Sequence, residues 1–196
     1  MPKAIASVDQ LRAEYLHLYD TCLLVPSKIP LISAAATRII AGKQKYSALQ
    51  ISTSVPWYVI GCIHYRESGC NFRTHLYNGD PLSHRTVHEP IGKPADIDPP
   101  YTFNDAATCA LRDEHFMSWK DWSVEGMLYR WEAYNGWGYR VHEIHSPYLW
   151  GFSNQYSRGG FPKDHVWDDN YVSNQAGTAV IIKWMEVHGD VNLPAH

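Results

Sequence analysis

The chain has 196 residues, a formal net charge of −3, 45% hydrophobic and 19% charged residues. That size suits one domain with at most a short extension, and the composition excludes disordered and collagen-like chains. Lys and Arg form no basic block that would attract nucleic acid, and no apolar run approaches the ~20 residues that insert into a bilayer.

Ser7 and Gln10 are spaced as a capping box, and the stripe Leu11, Tyr15, Leu18 and Cys22 predicts a helix that Pro26 and Pro30 close. A second helix is predicted over residues 32–41 on Ile32, Ala36, Ile39 and Ile40, stopped by Gly42. Residues 43–54 are polar and are expected to link this helical pair to the rest. Ser54-Val55-Pro56-Trp57 then opens a third helix with the face Ile60, Ile63, Glu67, ended by Gly69. From 71 to 100 the texture changes to short alternating runs, the turn Asn78-Gly79-Asp80-Pro81, and Pro90, Pro94, Pro99 and Pro100. These features predict a small β-hairpin lobe followed by a proline-rich loop. Helices are expected again over 104–116, over 118–134 with Ser118 and Asp121 as cap pair, and over 173–188 on Ala176, Val180, Trp184 and Val187. An aromatic, glycine-containing loop separates the last two. The expected fold class is α+β, mainly α, with a β-hairpin lobe.

Cys22, Cys62, Cys70 and Cys109 show neither metal-type pairing nor a secreted-scaffold spacing, and the start of the chain shows no leader pattern. Synthesis in the cytoplasm with reduced thiols is therefore expected. His142 and His145 are three apart, not the four of a zinc-protease helix, and no three- or four-ligand signature emerges, so neither metal nor cofactor is expected. No nucleophile elbow, phosphate loop or dinucleotide fingerprint occurs.

Glu67 is the first candidate for chemistry. It ends an apolar helix face just before the chain must turn away, where desolvation and the helix C-terminus both favour a protonated carboxyl suited to general acid work. The alternative is an ordinary surface Glu. Asp80 sits in a tight turn that either bonds its own backbone or, folded beside the helix end, supplies the second carboxylate that glycosidic hydrolysis uses.

The run His64-Tyr65-Arg66-Glu67-Ser68-Gly69, followed by Asn71-Phe72, resembles the catalytic-glutamate motif of the lysozyme-like superfamily of muramidases and lytic transglycosylases. Ala133-Tyr134-Asn135-Gly136 resembles the element that lines the sugar cleft of the transglycosylase branch. Asp80 and Thr86 keep the spacing of the phage-lysozyme pattern, whereas the interval from Glu67 to Asp80 is longer than in that pattern, and the Gly-Leu-Met-Gln element is absent. The resemblance covers roughly residues 55–187. It implies an N-terminal helical extension over 1–50 and a lysozyme-like catalytic domain over 51–196.

The implied activity is that of an endolysin-type N-acetylmuramidase, a peptidoglycan-degrading glycosidase. Glu67 would be the acid, Asp80 would activate water or stabilise positive charge, and Thr86 would orient the water. His75, Tyr134, Asn135, Tyr139, Tyr148, Trp150, Phe152, Asn154 and Tyr156 would contact the glycan, with Gln155 beside them. For Tyr148, Trp150, Phe152 and Tyr156 a second small core is the competing expectation. A lytic transglycosylase leaving anhydro-muramic ends, or a non-catalytic glycan-binding protein, are the rival readings. The expected partner is the peptidoglycan strand, with no nucleic acid and no membrane insertion, and the protein is expected to be a monomer. It would reach the wall after release from the cytoplasm.

Overall fold

The computed structural model describes residues 6–163 and 166–194. Among them the chain is mainly helical with one small antiparallel sheet. The helices are α1 (Val8–Asp20), α2 (Ile29–Ala41), α3 (Lys43–Thr53), α4 (Trp57–Ser68), α5 (Phe103–Asp113), α6 (Val124–Asn135), α7 (Gly138–Val141), α8 (Pro147–Trp150) and α9 (Thr178–Val187); the strands are β1 (Gly160–Lys163) and β2 (Val166–Asp168). No helix among the described residues is long and apolar enough to cross a membrane.

Chain contacts divide the molecule into two compact units, a first of Met1–Ala36 with Asp121–His196 and a second of Thr37–Lys120. In the first unit α1 packs on α6, which also meets α8 and α9. Its core holds Tyr15, Leu18, Val124, Met127, Leu128, Trp131, Leu149, Trp150, Val180, Ile182 and Met185. Tyr15 and Leu18 make α1 part of this core. In the second unit α3 packs on α4 and α5, burying Tyr46, Leu49, Val59, Ile60, Ile63, Leu111 and Phe116.

Several expectations need correction. Residues 43–54 are not a link but helix α3: its polar start hides the short stripe Tyr46, Leu49, Thr53 that faces inward. Pro30 does not close α1; it lies in the first turn of α2, where its missing N–H costs nothing. α6 starts later than expected, because Ser123, not Ser118, accepts the Gly126 N–H at 3.2 Å as the cap. Likewise α9 starts at Thr178. The hairpin lobe expected between 71 and 100 holds no strand, only an isolated bridge between Thr74 and Pro81. The antiparallel pair is instead β1 with β2, whose register shifts by one between Gly160–Asp168 and Lys163–Val166. All four cysteines are free thiols.

Candidate functional site

In the second unit, α4 carries Glu67 in its last turn. Val59, Ile60, Cys62, Ile63 and His64 are fully buried, while Tyr65 to Ser68 are half-buried, so the helix emerges from the core at Glu67. Gly69 and Cys70 then take left-handed φ values of 61° and 65°, reversing the chain. The Gly69 N–H donates to the Tyr65 carbonyl at 2.9 Å and the Cys70 N–H to the His64 carbonyl at 3.2 Å. These bonds satisfy the carbonyls that a helix end leaves open.

The Asn78-Gly79-Asp80 turn is seated on this end. A Cβ built on Gly79 would stand 2.6 Å from the Glu67 carbonyl oxygen, and its φ of +80° is one that L side chains rarely adopt, so glycine alone fits. The turn closes on His75, whose N–H donates to the Asp80 carbonyl at 2.6 Å and whose carbonyl accepts the Gly79 N–H at 3.0 Å. The structure therefore brings the Asp80 turn to the Glu67 helix end.

What the Asp80 carboxylate does there differs from the expected water-activating role. The residue is 5% exposed. One oxygen accepts the N–H groups of Val87 (2.8 Å) and His88 (3.0 Å), and the other meets His88 Nδ1 at 2.7 Å. Burial pushes the carboxyl pKa up, but the His88 amide and ring and the Val87 amide outweigh it and hold it at about 2. A carboxylate so engaged is a poor proton acceptor. Thr86 is likewise committed: its hydroxyl donates to the Pro90 carbonyl and accepts the Lys93 N–H at 2.8 Å. Asn78 adds bonds from Nδ2 to the carbonyls of His88 and Glu89 at 3.0 and 3.1 Å. Asp80, Thr86 and Asn78 together build a braced loop over residues 86–93.

His75 is fully buried rather than facing an open cleft. Its Nε2 pairs with the His84 carbonyl at 2.9 Å, its Nδ1 has no hydrogen-bond partner among the described residues, and burial lowers its pKa. The ring N–H expected to meet the glycan is instead given to the protein's own backbone.

The remaining predicted residues belong to the first unit. Tyr134 is half-buried with its ring 6.3 Å from that of Tyr148, and Asn135 is exposed, donating from Nδ2 to Ser146 Oγ at 3.2 Å. Tyr139 packs edge-on against Phe161 and Trp167. Tyr148, Trp150, Phe152 and Tyr156 are each at most 9% exposed and make up core, not an open stacking wall. The Tyr156 hydroxyl is taken by the Gly159 and Tyr171 carbonyls. Asn154 accepts the Leu23 N–H at 2.8 Å and donates to the Thr21 carbonyl at 3.1 Å, while Gln155 donates to the Leu18 carbonyl at 3.1 Å. Asn154 therefore fastens the segment after α1, and Gln155 the last turn of α1 itself.

The first unit also holds a buried ionic network that the sequence reading does not single out. Glu132, 4% exposed on α6, takes Arg140 Nε and Nη2, each at 2.8 Å, and the Tyr15 hydroxyl. Arg140 pairs in addition with Glu14 at 3.0 Å. Burial works against the Arg140 cation, yet the two carboxylates raise its pKa, while burial and Glu132 push the Tyr15 hydroxyl up. A cavity of about 200 Å³ lies beside it, lined among others by Glu14, Glu132, Arg140, Glu143, His145 and Ser146. A signal existed: Glu132 falls four residues after Leu128 and eight after Val124, on the apolar face of α6, where a carboxylate needs a dedicated cation.

Compared with known proteins, the chain matches no family model, no curated protein and no solved structure.

Proposed function

We propose that this protein cleaves peptidoglycan glycan strands with Glu67 as the general acid. The observation that carries the reading is the setting of Glu67: half-buried, in the last turn of a helix with a fully buried body, reversed by two left-handed residues and flanked by a tight turn. In this scheme the Glu67 carboxyl gives its proton to the glycosidic oxygen as the C–O bond to muramic C1 breaks, and positive charge develops on that sugar. Glu67 is the acid because it is the carboxyl group at that helix end. In an N-acetylmuramidase, water then adds to C1 and gives a proton back to the Glu67 carboxylate.

The engagement of Asp80 and Thr86 favours a second reading of the same site, lytic transglycosylation. One carboxyl group suffices for that reaction: after giving its proton, Glu67 takes one from the muramic C6 hydroxyl, which closes on C1 without water. Mass spectrometry of digested sacculi separates the two. Hydrolysis adds one water for every bond cut, whereas transglycosylation leaves products with the summed mass of the intact strand. Release of no soluble glycan, with binding retained, would instead point to a non-catalytic glycan-binding protein.

A further inference from the structure

We propose that His64 is a positioning residue for Glu67, a clamp that fixes the reversed end of α4; the inference rests on the reading of Glu67 as the acid. His64 stands three residues before Glu67 on α4 and is 0% exposed. Its ring nitrogens are both used: Nε2 lies 3.1 Å from the Asn71 carbonyl and Nδ1 lies 2.8 Å from the Tyr46 hydroxyl. A carbonyl only accepts, so the hydrogen is assigned to Nε2, and Nδ1 then accepts the Tyr46 O–H. The ring is held sideways as well, with centroids 4.5 Å from Phe103 and 4.8 Å from Phe72.

The backbone of the same residue closes the turn from the other side. The His64 carbonyl accepts the Cys70 N–H at 3.2 Å and the Ser68 hydroxyl at 3.3 Å. Three bonds to one residue therefore fasten Ser68, Cys70 and Asn71, and Glu67 sits inside that bracket. The bracket has work to do, because Cys70 is a non-glycine residue at φ 65°, a conformation that persists only where its surroundings enforce it. Burial lowers the His64 pKa to about 4. The clamp is thus neutral at pH 7 and neither gives nor takes a proton in the reaction. A leucine would fill the same core volume, so what the imidazole adds is the pair of directed bonds that hold Asn71 and Tyr46 in place.

The test compares His64→Leu, His64→Gln and Tyr46→Phe with the parent and with Glu67→Gln. Turnover is measured on a soluble N-acetylglucosamine–N-acetylmuramic acid oligomer, with folding checked by cooperative melting. A displacement of about 1 Å at a reacting group costs about 100-fold in rate. His64→Leu is therefore expected to lose about 10- to 100-fold in kcat with KM within about twofold. Faster hydrogen exchange at the Cys70 amide should accompany that loss. His64→Gln keeps a donor toward Asn71 and should recover at least half of that loss on a logarithmic scale. Tyr46→Phe should fall between His64→Gln and the parent.

Retention of the parental kcat by folded His64→Leu overturns the proposal. So does a rise in KM alone, or a loss in His64→Gln equal to that in His64→Leu. Should His64→Leu fail to fold, the other two variants decide: parental kcat in both overturns it, and a drop in kcat at constant KM supports it. A parental rate in Glu67→Gln is a separate failure, that of the acid assignment.

Discussion

Asp80→Asn probes the brace beside Glu67 most informatively, because it replaces the carboxylate by a near-isostere of its protonated form. The folded carboxyl is held at about 2, below its ordinary value of 3.8. A depressed folded pKa means that the unfolded chain binds the extra proton first as pH falls, so stability is full above pH ~5 and is lost toward pH ~2. The shift corresponds to about 2 kcal/mol at pH 7. The geometry agrees in scale: three donors converge on the two oxygens, and an asparagine NH₂ would face one of them. Urea unfolding of both proteins at pH 7, 3 and 2 measures it. The expected gap is about 2 kcal/mol at pH 7, about half of that at pH 3, and closing toward pH 2. A gap below about 0.5 kcal/mol at pH 7, or one independent of pH, would refute the assignment of Asp80 to the loop brace.

Three further outcomes follow from the same structure. Arg140→Met strands the buried Glu132 carboxylate and should cost about 3 kcal/mol in thermal unfolding, while adding Glu132→Leu to it should restore much of the loss. Gly79→Ala places a methyl 2.6 Å from the Glu67 carbonyl at a φ of +80°; it should cost about 1–3 kcal/mol and also depress the rate of glycan cleavage. Asn154→Ala removes both ties to the segment after α1 and should cost about 1–2 kcal/mol, with faster exchange at the Leu23 amide.

Much of the helical plan was legible: α1 and α2 bury a face with a 3.6-residue period, while α4 and α9, buried without a break over Val59–His64 and Thr178–Ile182, were readable from their apolar runs and the glycines after their ends. α3 escaped notice because its first turn is Lys43-Gln44-Lys45, and its buried stripe is too short to outweigh that polarity. The Asn78-Gly79 pair is a strong hairpin signal, yet no ladder forms there. Asn78 and Asp80 side chains take up backbone donors and acceptors of the 86–93 loop, so the chain folds around side-chain bonds instead. The antiparallel pair that does form, β1 with β2, lies in the aromatic stretch, and no Asn-Gly pair stands between its strands in the sequence. Composition could not separate a stacking wall from a core in that stretch, because both want Tyr, Trp and Phe. Short α8 decides it by turning Tyr148, Leu149 and Trp150 inward. At the candidate site, the place of Glu67 was readable from the apolar face and Gly69, whereas the seat of the Asp80 turn was one of two alternatives, because nothing in the sequence shows that Gly79 packs on the Glu67 carbonyl. The commitment of the Asp80 carboxylate was not readable, since it depends on His88 folding back across eight residues.

The most direct measurement is the release of soluble glycan from purified sacculi by the parent protein and by Glu67→Gln, with both shown to be folded. General acid catalysis contributes about 10²- to 10⁴-fold, so the variant should release glycan at least about 100 times more slowly while still sedimenting with the sacculi. Equal release by the two proteins would contradict the assignment of Glu67.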